Sequence, residues 1–447
     1  MRGLRSFLVL LVILVALGGY LYFVESKRDP LDTGPKKDKV FSVEADKIEE
    51  ITIRAEAGDK TTLRKSGSEW QMVDPVAARP DTAEISGLTT NLSSLEIQSV
   101  VQENAPDLAA YGLDKPRVEV SFKSGGQAQT LQIGQKTPPG TDLYAKRAND
   151  NKVFLISSYL DSTFNRGTFD LRDKTVVRVE RDKLESVEVA AGGREMKFVK
   201  SGAEWQIAAP VQGRADFNAV DGLVSRLTGL QMKSVADAEA DANELKKYGL
   251  DKPVATVRLG SGSSQAALAI GGTAEEGSVY AKDAARPAVY TIEAALLDEL
   301  KKAPDDFRQK DLFDARTFNA TRLEIARGGQ TFAFEKAKSK NKDGQEEEKW
   351  RQVAPQAREV DQPKVESLLS TITGARATGF AAASEKSGLD TPELTVTIKF
   401  DDGKKEERVA FARSGGNAYA SRSDDKSIAR IEAATIDAIG KGIEELK

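Results

Sequence analysis

Every tryptophan of the chain stands in the same phrase. Trp70, Trp205 and Trp350 are each followed five residues on by proline (Pro75, Pro210, Pro355) and eleven on by aspartate (Asp81, Asp216, Asp361). Fifteen, eighteen and twenty-two residues on stand Ile85, Leu88 and Leu92 in the first run, Val220, Leu223 and Leu227 in the second, and Val365, Leu368 and Ile372 in the third. No gap is needed across these spans. Self-similarity at a long fixed period means tandem copies of one unit, and it constrains the fold more than any single motif.

The block has a physical reading. Apolar residues spaced i, i+3, i+7 place one stripe on a helix, and the aspartate four residues ahead is a good N-cap for it. Pro363 falls in the first turn of the third helix, where a missing N–H costs little. Before each Trp lie two alternating runs joined by a Gly-containing turn, such as "IEEITIRA" and "KTTLRKS". With the Trp segment they predict a three-stranded meander. After the helix comes a second shared phrase, "YGLDKP" at 111–116, "YGLDKP" at 248–253 and "SGLDTP" at 387–392, then four further strands and a closing helix. The third copy carries an insertion at 336–349, which reads as a mixed-charge, solvated hairpin tip. The expected fold is α+β. Three tandem repeats each hold an antiparallel β-meander, an amphipathic helix and further antiparallel strands. Boundaries are set at the "FDLRDK" and "DDFRQK" phrases, giving copies at 40–174, 175–310 and 311–447.

Ahead of the repeats, Phe7–Val24 is an uncharged run of 18 apolar or weakly polar residues preceded by Arg2 and Arg5. Its length covers most of a hydrocarbon core of about 30 Å, and Tyr20, Tyr22 and Phe23 suit the interface. Two readings compete, a cleaved secretory signal and an uncleaved transmembrane anchor; the length of the run and its aromatic end favour the anchor (1–30 with its cytoplasmic tip), followed by a polar spacer at 31–39. The expected location is the bacterial cytoplasmic (inner) membrane, single-pass, with the body outside the cytoplasm.

Composition narrows the chemistry. The 447 residues include no Cys and no His. Disulfides, thiol nucleophiles, His-based acid–base pairs and the usual N/S zinc sites are therefore unavailable. With 65 basic against 69 acidic residues, the chain carries no charge excess suited to nucleic acid. No cofactor or metal is expected.

At this point the chain resembles the bacterial domain of unknown function 4340 (DUF4340) family. Trp-x4-Pro, the capped helix, Gly-Leu-Asp-x-Pro, the "IG" strand end and the "LRDK" close carry the resemblance, over nearly everything from about residue 40 onward. The third copy departs most: Ser387 replaces Tyr, "FAR" replaces "IG", and the "LRDK" phrase is missing. The resemblance implies an α+β domain behind an N-terminal membrane segment in bacterial envelope proteins. Such proteins are often encoded beside ABC-type transporter components of the kind associated with gliding motility. It implies no catalytic residues.

Candidate sites each have a plainer alternative. The Trp is an exposed aromatic platform or a core residue sealing helix against meander; its fixed distance from the cap favours the core. Gly112, Asp114 and Pro116, with Gly249, Asp251 and Pro253 and with Gly388, Asp390 and Pro392, form a ligand loop or, more simply, a turn. In the turn, Gly takes a left-handed position, Leu plugs the core and Asp bonds its own backbone. Tyr144 and Lys146, Tyr280 and Lys282 share strand faces, and Tyr419 keeps half of the pair; they offer a binding face or ordinary cross-strand pairing. Arg172, Asp173 and Lys174, with Arg308 and Lys310, suggest ion pairing between copies. The "LGSGSS" and "DDG" stretches read as turns.

Three functions fit. The first is a membrane-anchored, non-catalytic scaffold or accessory subunit with protein partners in the envelope, ABC-transporter components among the candidates. The second is an extracytoplasmic module binding glycan, peptide or lipid between copies. The third is a carboxylate-based hydrolase, for which no acid pair at a set separation can be identified.

Overall fold

The computed structural model describes residues 37–275, 277–340, 346–382 and 384–446. The Phe7–Val24 anchor, most of the spacer and the tip of the insertion lie outside the described residues. No described helix is long and apolar enough to cross a membrane.

The first copy shows the plan. Its strands are β1 (Ile48–Arg54), β2 (Lys60–Ser66), β3 (Glu69–Asp74), β4 (Ser99–Gln102), β5 (Val118–Ser124), β6 (Gln127–Lys136), β7 (Asp142–Arg147) and β8 (Val153–Ser157). They form one sheet in the order β3-β2-β1-β5-β6-β7-β8-β4, antiparallel throughout. Alternation explains the faces. Ile51 and Ile53 of β1, and Val118, Val120 and Phe122 of β5, point to one side and are buried. The helix Thr82–Ser94 lies on that side, and Ile85, Leu88 and Leu92 join the same core.

Asp81 begins this helix, its carboxylate accepting from the N–H groups of Ala83 and Glu84. Asp216 and Asp361 do the same for the helices Phe217–Thr228 and Gln362–Thr373. Pro75, Pro210 and Pro355, which follow the Trp strands, all take a cis peptide bond. Each helix then carries the chain to the far edge of its sheet. There a short strand absent from the sequence expectation pairs beside the last long one: β4, Ser234–Asp237 and Gly379–Phe380.

The chain returns from that edge across the face opposite the helix. Leu108, Tyr111 and Leu113 of this excursion pack over Tyr144 and Val153. Gly112, Gly249 and Gly388 take positive φ of 67°, 68° and 75°. The turn sits so close that a Cβ on Gly134 would lie 2.2 Å from the Tyr111 carbonyl, and one on Gly271 2.2 Å from that of Tyr248. This is why "YGLD" and "IG" occur together. In the third copy Ser387 and Ala412 replace both. Leu113 and Leu250 are buried as expected of the plug, but Leu389 is only half-buried. Asp114, Asp251 and Asp390 are exposed, and among the described residues their carboxylates take no hydrogen bond. That corrects the expected backbone-bonding role: the left-handed glycine and backbone hydrogen bonds such as Leu113 N–H to the Leu108 carbonyl make the turn.

The second and third sheets repeat this order with nine strands each. The added two-residue strands, Gly213–Arg214 and Arg358–Glu359, pair outside the Trp strand. In the third copy the insertion lengthens the hairpin as ladder, pairing Lys336 with Trp350 through Lys340 with Glu346. Each copy also clasps its entering segment with an arginine: Arg147 donates to the Val40 carbonyl (3.2 Å), Arg286 to that of Thr175 (3.1 Å), Arg422 to that of Leu312 (2.9 Å). By packing, the chain forms two compact units, divided between Lys174 and Thr175, and the second holds two of the three sheets.

Candidate functional site

The three tryptophans occupy one register position in three different surroundings. Trp205 and Trp350 are 4% and 2% exposed, whereas Trp70 is half-buried. Trp70 lines a groove of about 620 Å³, within the range of about 300–1,000 Å³ usual for ligand sites. One wall is β3, the second the return segment Ala77–Pro80, the third the helix face of Thr82, Ile85, Ser86 and Thr89.

Three local differences leave it open. The first is on the helix. Nineteen residues after the Trp, the other copies bury Val224 and Leu369, and the first has Thr89, whose hydroxyl donates back to the Ile85 carbonyl. Second, a lysine pairs across from each Trp. Lys200 and Lys336 lie over the Trp205 and Trp350 rings, at 5.9 and 5.3 Å from their centroids. Lys65 pairs with Trp70 in the ladder but donates its ammonium to the Asp46 carbonyl instead.

The third difference concerns the backbone. The β2–β3 hairpin register turns the N–H and C=O of Trp70 and Met72 outward, away from β2. Met72 exchanges two hydrogen bonds with Ala78, at 3.0 and 3.1 Å. The groups of Trp70 find no partner among the described residues. In the second copy the Ala215 N–H reaches the Trp205 carbonyl at 3.4 Å, and in the third the Gln362 carboxamide serves Trp350 twice. Its oxygen accepts from the Trp350 N–H (2.6 Å) and its nitrogen donates to the Trp350 carbonyl (2.8 Å). At these places the first copy has Pro80, which lacks an N–H, and Thr82, which is too short to reach. Comparing the copies twelve and nineteen residues after the Trp is the sequence signal that would have found the groove.

The other candidate residues serve the framework. Lys146 is 4% exposed, and its ammonium donates to the carbonyls of Arg147, Ala148 and Asp150. Lys282 donates to the carbonyl of Arg286. Burial pushes both ammonium groups below the usual lysine range. Tyr144 packs on Tyr111 (5.0 Å between centroids) and Tyr280 on Tyr248 (4.8 Å). Tyr419 is 1% exposed and donates to Glu385 at 2.6 Å. The open binding face expected of Tyr144, Lys146, Tyr280, Lys282 and Tyr419 is thus not open: the excursion into Gly-Leu-Asp-x-Pro lies across it.

The "LRDK" residues close their own copy first. Arg172 bridges Pro80, Asp173 donates its N–H to the Arg79 carbonyl, and Lys174 lies over Phe169 at 5.4 Å. Arg308 likewise bridges Ala215, and its side chain goes on to the third copy. It is 7% exposed, donates to the Ser427 hydroxyl (2.7 Å) and lies 3.9 Å from the Phe380 ring centroid. Its ion pair, with Asp305, stays within its own copy. The Lys310 carbonyl accepts from the Ala377 N–H at 2.8 Å. Where the third copy lacks the phrase, the end of the last helix stands in: Arg358 donates to the Leu446 carbonyl.

No group of three or more acidic side chains among the described residues is arranged to hold a metal ion. The sequence profile of the family described as Domain of unknown function (DUF4340) matches residues 70–206, 205–392 and 350–447. Each match opens on one of the three tryptophans. No curated protein and no solved structure matches the chain.

Proposed function

The chain belongs to the DUF4340 family in tandem copies, and from that premise we propose that it is a membrane-anchored, extracytoplasmic, non-catalytic scaffold or accessory subunit of an envelope protein complex. An ABC-type transporter or a gliding-motility-like assembly is the setting that the family resemblance implies. The observation that carries the reading is the contrast between copies: one fold is used three times, Trp205 and Trp350 are buried with their strand edge met from within (at the carbonyl of Trp205, at both backbone groups of Trp350), and the groove at Trp70 is left open. A module repeated for construction has no reason to leave one copy unfilled, whereas a scaffold needs a place for a partner. The buried ionisable groups favour the same reading. Lys146, Arg308 and the Arg422–Glu407 pair each satisfy backbone or packing needs of the fold.

The test is co-purification of the full chain from its native membrane after chemical crosslinking. The expected result is recovery of defined envelope proteins in fixed ratio. Recovery of the chain alone, under several crosslinkers and growth conditions, would contradict the proposal.

A further inference from the structure

The groove of the first copy has a template for its occupant inside the same chain. In the third copy the position opposite the Trp strand is taken by an amide, that of Gln362, which accepts from the Trp350 N–H and donates to its C=O. The second copy uses a backbone N–H from Ala215 at the same carbonyl. What the strand edge binds, both times, is amide chemistry. An extended polypeptide offers such a group, one N–H and one C=O side by side, at every second residue.

We propose that the groove takes an extended peptide segment of a partner protein as an added strand. One residue of the segment pairs its N–H and C=O with the C=O and N–H of Trp70. The apolar floor of Trp70, Met72 and Ile85 receives an aliphatic side chain, and the hydroxyls of Thr82 and Ser86 border it on the helix side. An exposed strand end with unpaired polar groups is a standing template for another chain. A sugar hydroxyl can also donate and accept, but it does not reproduce the amide that fills this position in the third copy. The proposal rests on the scaffold reading for its setting, not for its geometry.

The test uses the purified full chain in detergent and an array of acetylated, amidated hexapeptides with randomised central positions. The wild-type chain is expected to retain a subset. Thr82→Gln, which supplies the amide found in the third copy, should weaken retention at least tenfold, while Thr82→Ser keeps it. N-methylation of one residue in each selected peptide should cost tenfold or more at a single position and little elsewhere. This second reading holds even if Thr82→Gln folds poorly. The proposal is overturned if no hexapeptide is retained, if Thr82→Gln binds as well as wild type, or if no N-methyl position matters. Crosslinking in the native membrane that still recovers partners would then show the scaffold reading standing without this groove.

Discussion

Three chemically identical side chains, Trp70, Trp205 and Trp350, do different amounts of work because their neighbours differ. Trp350 is buried under Lys336, in the same core as Leu369, with its indole N–H unpartnered. Trp350→Ala should therefore destabilise its unit by about 3–5 kcal/mol, the usual cost of emptying a large aromatic site. Trp350→Phe should cost clearly less, since it keeps most of the ring and removes a buried unsatisfied donor worth about 1–3 kcal/mol. Trp70→Ala, at a half-buried site, should cost less than half as much as Trp350→Ala. Denaturant unfolding, followed by proteolysis of each unit, checks the order. A further residue-scale case is Glu385, which accepts from Tyr419 and is paired with Arg430. Those partners lower its carboxyl pKa to about 2. A depressed folded pKa gives stability that is present above the unfolded value of about 4.3 and is lost as pH falls toward 2. The melting temperature of wild type should exceed that of Glu385→Gln at pH 6, and the difference should shrink steadily as pH falls from about 4 toward 2.

At the scale of elements, what was legible followed from periodicity. Two-residue alternation marks β1 and β5, and the spacing of Ile85, Leu88 and Leu92 behind Asp81 marks the helix, because each pattern buries one face. What was missed had no period to show. β4 is four residues long and mostly exposed, so "SVVQ" carries no buried alternation. The Tyr/Lys faces looked open because nothing local says that a segment thirty residues upstream will lie across them. The arginine clasps were hidden for a related reason: Arg147 and Arg422 share a register position, but the second copy has Asp283 there and sends Arg286 instead. The groove lay within reach of the sequence, since Thr82 and Thr89 stand where Gln362 and Leu369 fill the third copy. It is a departure between copies, and such departures become legible once the repeat is used as its own alignment.

At the scale of the molecule, copies two and three share one compact unit, and Arg308 is central to their contact. Arg214 adds to it, reaching Asp314 and the Asp311 carbonyl. Removing a buried guanidinium that makes a charge-assisted hydrogen bond and a ring contact should cost about 2 kcal/mol or more. Arg308→Ala should split or broaden the calorimetric transition of this unit, while Arg172→Ala leaves it unchanged. The central claim is the proposal that the chain holds a partner protein at the Trp70 groove, the one of the three Trp positions left open among the described residues. The most direct measurement places a photo-crosslinking amino acid at position 86, beside that groove, or at the matching position 366 of the third copy, in the full chain in its native cells. The account predicts a discrete protein adduct from position 86 that Thr82→Gln abolishes, and none from 366. Equal labelling from both positions, or labelling at 86 that Thr82→Gln leaves untouched, would contradict it.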